Sequence, residues 1–182
     1  MGLFDKLKQA TQSTNNSEAT FVFTRLPESL EEMKALPEAT LDTPFKAAAL
    51  TLCALCAYAA DASIGTEMLN FLRGPGGPMS PQDLSFLKDR FMDGKFYVPF
   101  SYFAGATPDN NYTPSEPFTV RITANSYSYQ NEGYATLYIA SGGADSPRPI
   151  TLRKKESTNQ WFLNQQSLLV GIREPKSSNP WA

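Results

Sequence analysis

The residue types in this chain that could do chemistry at their spacings are few, and one absence limits all of them: the sequence contains no histidine. Histidine titrates near neutral pH and is the commonest metal ligand. Its absence removes Ser-His-Asp and Cys-His nucleophile systems, HExxH zinc sites and His-ligated haem. Cys53 and Cys56 form a CxxC. A redox CxxC sits at a helix amino terminus, where the dipole lowers a thiol pKa, whereas these two lie inside the apolar run Phe45 to Ala60, among Leu and Ala. Two thiolates make half a zinc site, and no further Cys or His completes it. They read as buried, reduced packing cysteines, and neither a metal nor a cofactor is expected.

Ser85-Phe86-Leu87-Lys88 matches S-x-x-K, in which a lysine one helical turn on activates a serine without histidine. The companion SDN and KTG motifs are missing. Ser85 and Lys88 also fall opposite the apolar stripe Leu84, Leu87 and Phe91, so they read as surface residues and no catalytic residue is assigned. Gly74-Pro75-Gly76-Gly77-Pro78 lacks GK[ST], and its two prolines cannot donate amides to a phosphate, so it reads as a connector.

Two loops hold more. In Ser141-Gly142-Gly143-Ala144-Asp145-Ser146-Pro147-Arg148, adjacent glycines free the backbone to aim amides at an anion, and Arg148 offers a fork of donors. The structural alternative is a hairpin loop in which Asp145 and Arg148 pair. Ser101 to Pro114 crowds aromatic, amide and hydroxyl side chains, and Tyr127, Tyr129 and Tyr134 follow. Tyrosine faces beside amides suit a sugar or peptide, since stacking supplies area and amides supply direction; the same composition also packs a loop onto a sheet. The residues expected to face a ligand are Asn111, Tyr112, Asp145 and Arg148.

The elements that must position them change period along the chain. Phe45 to Ala60 is apolar on every side, and at about 1.5 Å per residue its sixteen residues fall short of a ~30 Å bilayer core. It is a core helix, capped by Asp42 or Thr43 with Pro44 at its first position. Further helices are expected over Pro27 to Leu36, about Ile64 to Leu72, and Pro81 to Asp93, the last opened by a Ser80/Asp83 capping box and closed by Gly94. Beyond Gly94 the pattern alternates: Phe118, Val120 and Ile122, then Ala135, Leu137 and Ile139, then Ile150 and Leu152, with Trp161 and Leu163 suggesting one more strand. About four helices followed by an antiparallel sheet of three to five strands make an α+β fold.

The start, Met1 to Lys8, lacks the apolar stretch and cleavage site of a secretory signal. Leu3, Phe4 and Leu7 oppose Lys6 and Lys8, which suggests either a frayed terminal helix or weak peripheral contact with a membrane or partner. Residues 1–19 are therefore expected to be a short amphipathic helix and flexible linker, and residues 20–182 a single domain. The charge is −4 over Met1 to Gly94 (8 Lys/Arg, 12 Asp/Glu) and +2 over Lys95 to Ala182 (8 against 6), too mild an asymmetry for a nucleic-acid partner. The missing signal disfavours export, so a cytoplasmic address is expected, and the reduced state of Cys53 and Cys56 follows from it.

Val98 to Pro114, Ser141 to Arg148, and the ending from Leu152-Arg153-Lys154-Lys155 through Trp161 and Leu169 to Gly171-Ile172-Arg173 and Pro175 resemble a bacterial domain family of unknown function. That resemblance covers most of the chain after about Thr43 and implies no activity, ligand or catalytic residue. The basic strand, turn and Trp161 are also similar to the last strands of NTF2-like α+β cones. Two function classes stand. One is a non-catalytic binding or interaction module for a protein or a small polar or anionic ligand; the other is a histidine-independent enzyme using carboxylate, Tyr or Lys chemistry in a helix-sheet cleft. The acids nearest to suiting the second are Asp61, Glu67 and Asp145, and no spacing brings them together. The first class is favoured.

Overall fold

The computed structural model describes residues 17–182; the amphipathic segment expected at the amino terminus lies outside them. The elements run β1 (Glu18–Phe23), α1 (Leu30–Lys34), α2 (Pro44–Ala60), α3 (Ala62–Arg73), α4 (Pro81–Arg90), β2 (Phe118–Thr123), β3 (Tyr134–Ile139), β4 (Arg148–Lys155) and β5 (Gln160–Gln166), with short 3₁₀ turns between. The fold is α+β. All five strands are antiparallel neighbours in the order β1-β2-β3-β4-β5.

The apolar helix α2 forms where the sequence places it. Thr43 accepts a hydrogen bond from Lys46 N (3.2 Å), Pro44 takes the first position, and Asp61 ends α2 while capping α3 through Ser63 N and Ile64 N. It packs against every strand of the sheet and along α3. Burial on all sides explains why it has no polar face: Ala47, Ala48, Leu50, Leu52 and Leu55 are wholly enclosed. Truncating any of those leucines to alanine costs about 2–5 kcal/mol. Its one buried hydroxyl, Thr51, is satisfied by Ala47 O at 2.8 Å. Gly65 lets α3 approach, since a Cβ there would sit 2.3 Å from Tyr58 Cα. Cys53 and Cys56 are buried and unbridged, and burial pushes both thiols up.

The inner sheet face supplies Val120, Ile122, Leu137, Ile139, Ile150 and Leu152 to the core, as the alternation requires. Thr136, Tyr138 and Thr151 alternate with them and face outward. β1 is the departure. It pairs along the whole of β2, from Glu18↔Thr123 to Phe23↔Phe118, so one sheet edge comes from the amino-terminal end, ahead of the helices. Glu18 and Ala19, expected within the linker, belong to this strand. Other expected bounds also move. Ser29 caps α1 by accepting from Glu32 N, which starts that helix at Leu30 rather than Pro27. The Ser80/Asp83 capping box forms, but α4 stops at Arg90, and Leu84 remains 39% exposed because only Leu87 and Phe91 reach the core.

Candidate functional site

The loops at one end of the sheet gather all four residues expected to face a ligand, and their hydrogen bonds turn inward. After β5, Leu168 and Leu169 enter the core and the chain runs back across the loops before β2 and before β4. Tyr102 OH donates to Leu168 O. Tyr112 is buried, stacks on Tyr97 with ring centroids 5.2 Å apart, and donates its hydroxyl to Arg173 O at 2.6 Å. Burial holds its hydroxyl pKa above the usual value, with Tyr97 adding to the rise and Arg173 opposing it. Asn111 and Tyr112 both have positive φ (55° and 53°), a conformation uncommon for non-glycine residues and held here by these tertiary bonds. Asn111 Oδ1 accepts from Ser177 Oγ, and Asp109 pairs with Lys176.

Arg148 occupies the centre of this clasp. Its Nε donates to Val170 O (2.8 Å), its Nη2 to Gly171 O (2.8 Å) and its Nη1 to Ser146 O and Oγ (3.1 Å each). The expected Asp145–Arg148 pair does not form: Asp145 pairs with Arg173 at 2.8 Å and is itself 95% exposed. Nor do the paired glycines present amides to an anion. Gly142 N donates to Ser101 O (2.8 Å) and Gly143 N to Ser141 Oγ (3.1 Å). Their missing side chains serve close packing, since a Cβ would lie 2.0 Å from Ala106 O at Gly142 and 2.1 Å from Tyr112 Oη at Gly143.

The three acids weighed for an enzyme are not assembled either. Asp61 is committed to capping α3 and borders a recess of about 700 Å³ beside Cys56, whose other charged lining residues are Arg25, Glu28 and Glu116 rather than Glu67 or Asp145. Ser85 and Lys88 are exposed on α4.

A different surface keeps its polar groups available. Between β2 and β3 the chain folds onto the outer face of the sheet, fixed by Asn125 N to Ser128 Oγ (2.9 Å) and Thr136 N to Ser128 O (2.9 Å). This turn leaves Tyr127 68% exposed at the rim of a groove of about 320 Å³. Tyr134, Thr136 and Thr151 form its floor, with the two threonine hydroxyls 3.3 Å apart, and Gln130, Asn131 and Asn164 add amides. Among the described residues, none of those three side-chain amides has a protein hydrogen-bond partner. Arg153 lies over the Tyr134 ring, 5.5 Å from its centroid. The outward threonines were legible from strand alternation. Asn164 was not, because its place depends on how β5 joins the sheet.

A family model described as a domain of unknown function (DUF6935) matches residues 25–176, which include all the motif regions that carry the family resemblance. No curated protein matches the chain, and no solved structure matches it.

Proposed function

Since the chain belongs to this domain family of unknown function, we propose a role from its own surface: a non-catalytic binding module whose outer sheet face recognises a sugar. The observation that carries the reading is the groove of Tyr127, Tyr134 and unpartnered amides. A tyrosine face offers apolar area to the CH face of a pyranose, and Gln, Asn and Thr groups both donate and accept, which suits hydroxyls that do the same. In this reading Asn111, Tyr112, Asp145 and Arg148 position the tail rather than touch the ligand. A bacterial cytoplasmic setting belongs to the same proposal, and the free, buried thiols are compatible with a reducing compartment.

The test is a screen of the full chain against arrayed neutral oligosaccharides, repeated with Tyr127→Ala and Asn131→Ala. Retention of at least one saccharide by the wild type, with tenfold or greater loss in Tyr127→Ala, is the expected result, about the worth of one stacked ring and its contacts. No retention, or retention indifferent to both substitutions, would overturn it.

A further inference from the structure

Next to the polar groove, and sharing Asn164 with it, a second groove of about 320 Å³ runs between the Gly74–Gly76 turn and the edge of β4 and β5. Four of its nine lining residues are cationic, Arg73, Arg153, Lys154 and Lys155, and none is acidic. We propose that this groove is an anion site for a ligand bearing neighbouring phosphate or sulfate groups.

The groove is built by tertiary contact rather than by a run of charge. Gly74 has φ +49°, and a Cβ on it would fall 2.3 Å from the Phe162 ring, so only glycine lets the end of α3 lie against β5. That contact brings Arg73 into one groove with the end of β4, where Arg153 and Lys155 share the face of Thr151 and Lys154 points to the other. Arg73 is held in place by its Nε donating to Gly77 O (2.9 Å). Two charges are partly offset, Arg73 by Asp83 at 3.8 Å and Lys154 by Glu156 at 3.2 Å. Arg153 and Lys155 have no carboxylate partner among the described residues. Arg153 rests on Tyr134, which orients its fork without using its donors. Cations from two elements line this one groove, and charges within a screening length of a bound anion add to its attraction. The two grooves share Asn164, but the cationic side chains line this one alone, and tripolyphosphate, which has no sugar ring, tests it separately from the sugar reading.

Titration calorimetry with inorganic tripolyphosphate, and separately with a sulfated disaccharide, tests it on the full chain. Arg153→Gln and Lys155→Gln should each weaken binding about fivefold to tenfold, while Lys88→Gln, an exposed lysine on α4, should leave it unchanged. Raising salt from 50 to 200 mM should weaken the wild type more than either variant, because each lost contact lowers the salt slope. The tighter probe identifies whether phosphate or sulfate is the better match. Equal loss in Lys88→Gln would mean diffuse attraction and overturn the proposal, as would no binding of either probe at millimolar concentration. Circular dichroism of each variant guards against unfolding, and a variant that unfolds is replaced by Lys155→Arg, which should keep the affinity.

Discussion

The clasp around Arg148 and the outer groove around Tyr127 both draw on tyrosine, asparagine and arginine, yet they use them in opposite ways. In the clasp, Arg148, Tyr112 and Asn111 all bond to the returning tail. In the groove, the side-chain amides of Gln130, Asn131 and Asn164 have no partner among the described residues, and Tyr127 stands exposed. Composition therefore does not separate recognition from packing. What separates them is whether each donor and acceptor already has a partner inside the fold, since a saturated group has nothing left to offer a ligand.

The largest effect that can strain this comparison is alkaline. Cys53 and Cys56 in the core and Tyr102 in the clasp all have pKa values raised by burial, from ordinary values of 9.0 and 10.0. Above pH 9 the unfolded chain loses these protons while the folded chain keeps them, so the unfolded state binds fewer and stability falls with rising pH. Each group contributes a slope of about 1.4 kcal/mol per pH unit once past its unfolded value. Urea melts at pH 8, 9.5 and 10.5 should show stability level below pH 9 and dropping steeply beyond it. The Cys53→Ala/Cys56→Ala double variant should flatten the drop and leave the share due to the buried tyrosines, Tyr102 and Tyr112 among them. A flat profile in the wild type would mean that neither region excludes water as described.

Next in size is Arg148→Ala, which strands three backbone carbonyls and releases the tail. A loss of about 2–3 kcal/mol is expected, lowering Tm by roughly 5–10 °C. Asp145→Ala removes an exposed ion pair and should move Tm by no more than about 2 °C. Because Asp145 pairs with Arg173 rather than Arg148, the double variant should equal the sum of the singles. Strong coupling between positions 145 and 148 would revive the pairing expected from sequence and remove the distinction drawn between clasp and groove.

The smallest effect lies on the other region. Tyr127 contributes little to the core, so Tyr127→Ala should change stability by less than about 0.5 kcal/mol, below 2 °C in a thermal melt. A larger loss would make the outer tyrosine a packing residue, and the two regions would then be alike.

Local pattern carried much of this fold. The amino-acid sequence by itself determined α2 as a buried helix, its start at Pro44 with Asp42 or Thr43 as cap, the capping box at Ser80, the inward set of β2, β3 and β4, and the burial of Cys53 and Cys56. Each of these depends on a period or a cap read within a few residues, where backbone geometry alone decides which side chains share a face. Tertiary structure decided the rest. β1 shows a strand-like Phe21-Val22-Phe23, but its partner lies about a hundred residues on, in β2. Tyr112 meets a carbonyl 61 residues away and Arg148 one 23 residues away, so neither bond has a local signature. The grooves follow the same logic: Asn164 joins Tyr127, and Arg73 lines one groove with Lys155, only because β5 takes the sheet edge and Gly74 admits the Phe162 ring. Whether a polar side chain is saturated or available is a property of those distant contacts, and it is what divides the clasp from the recognition face.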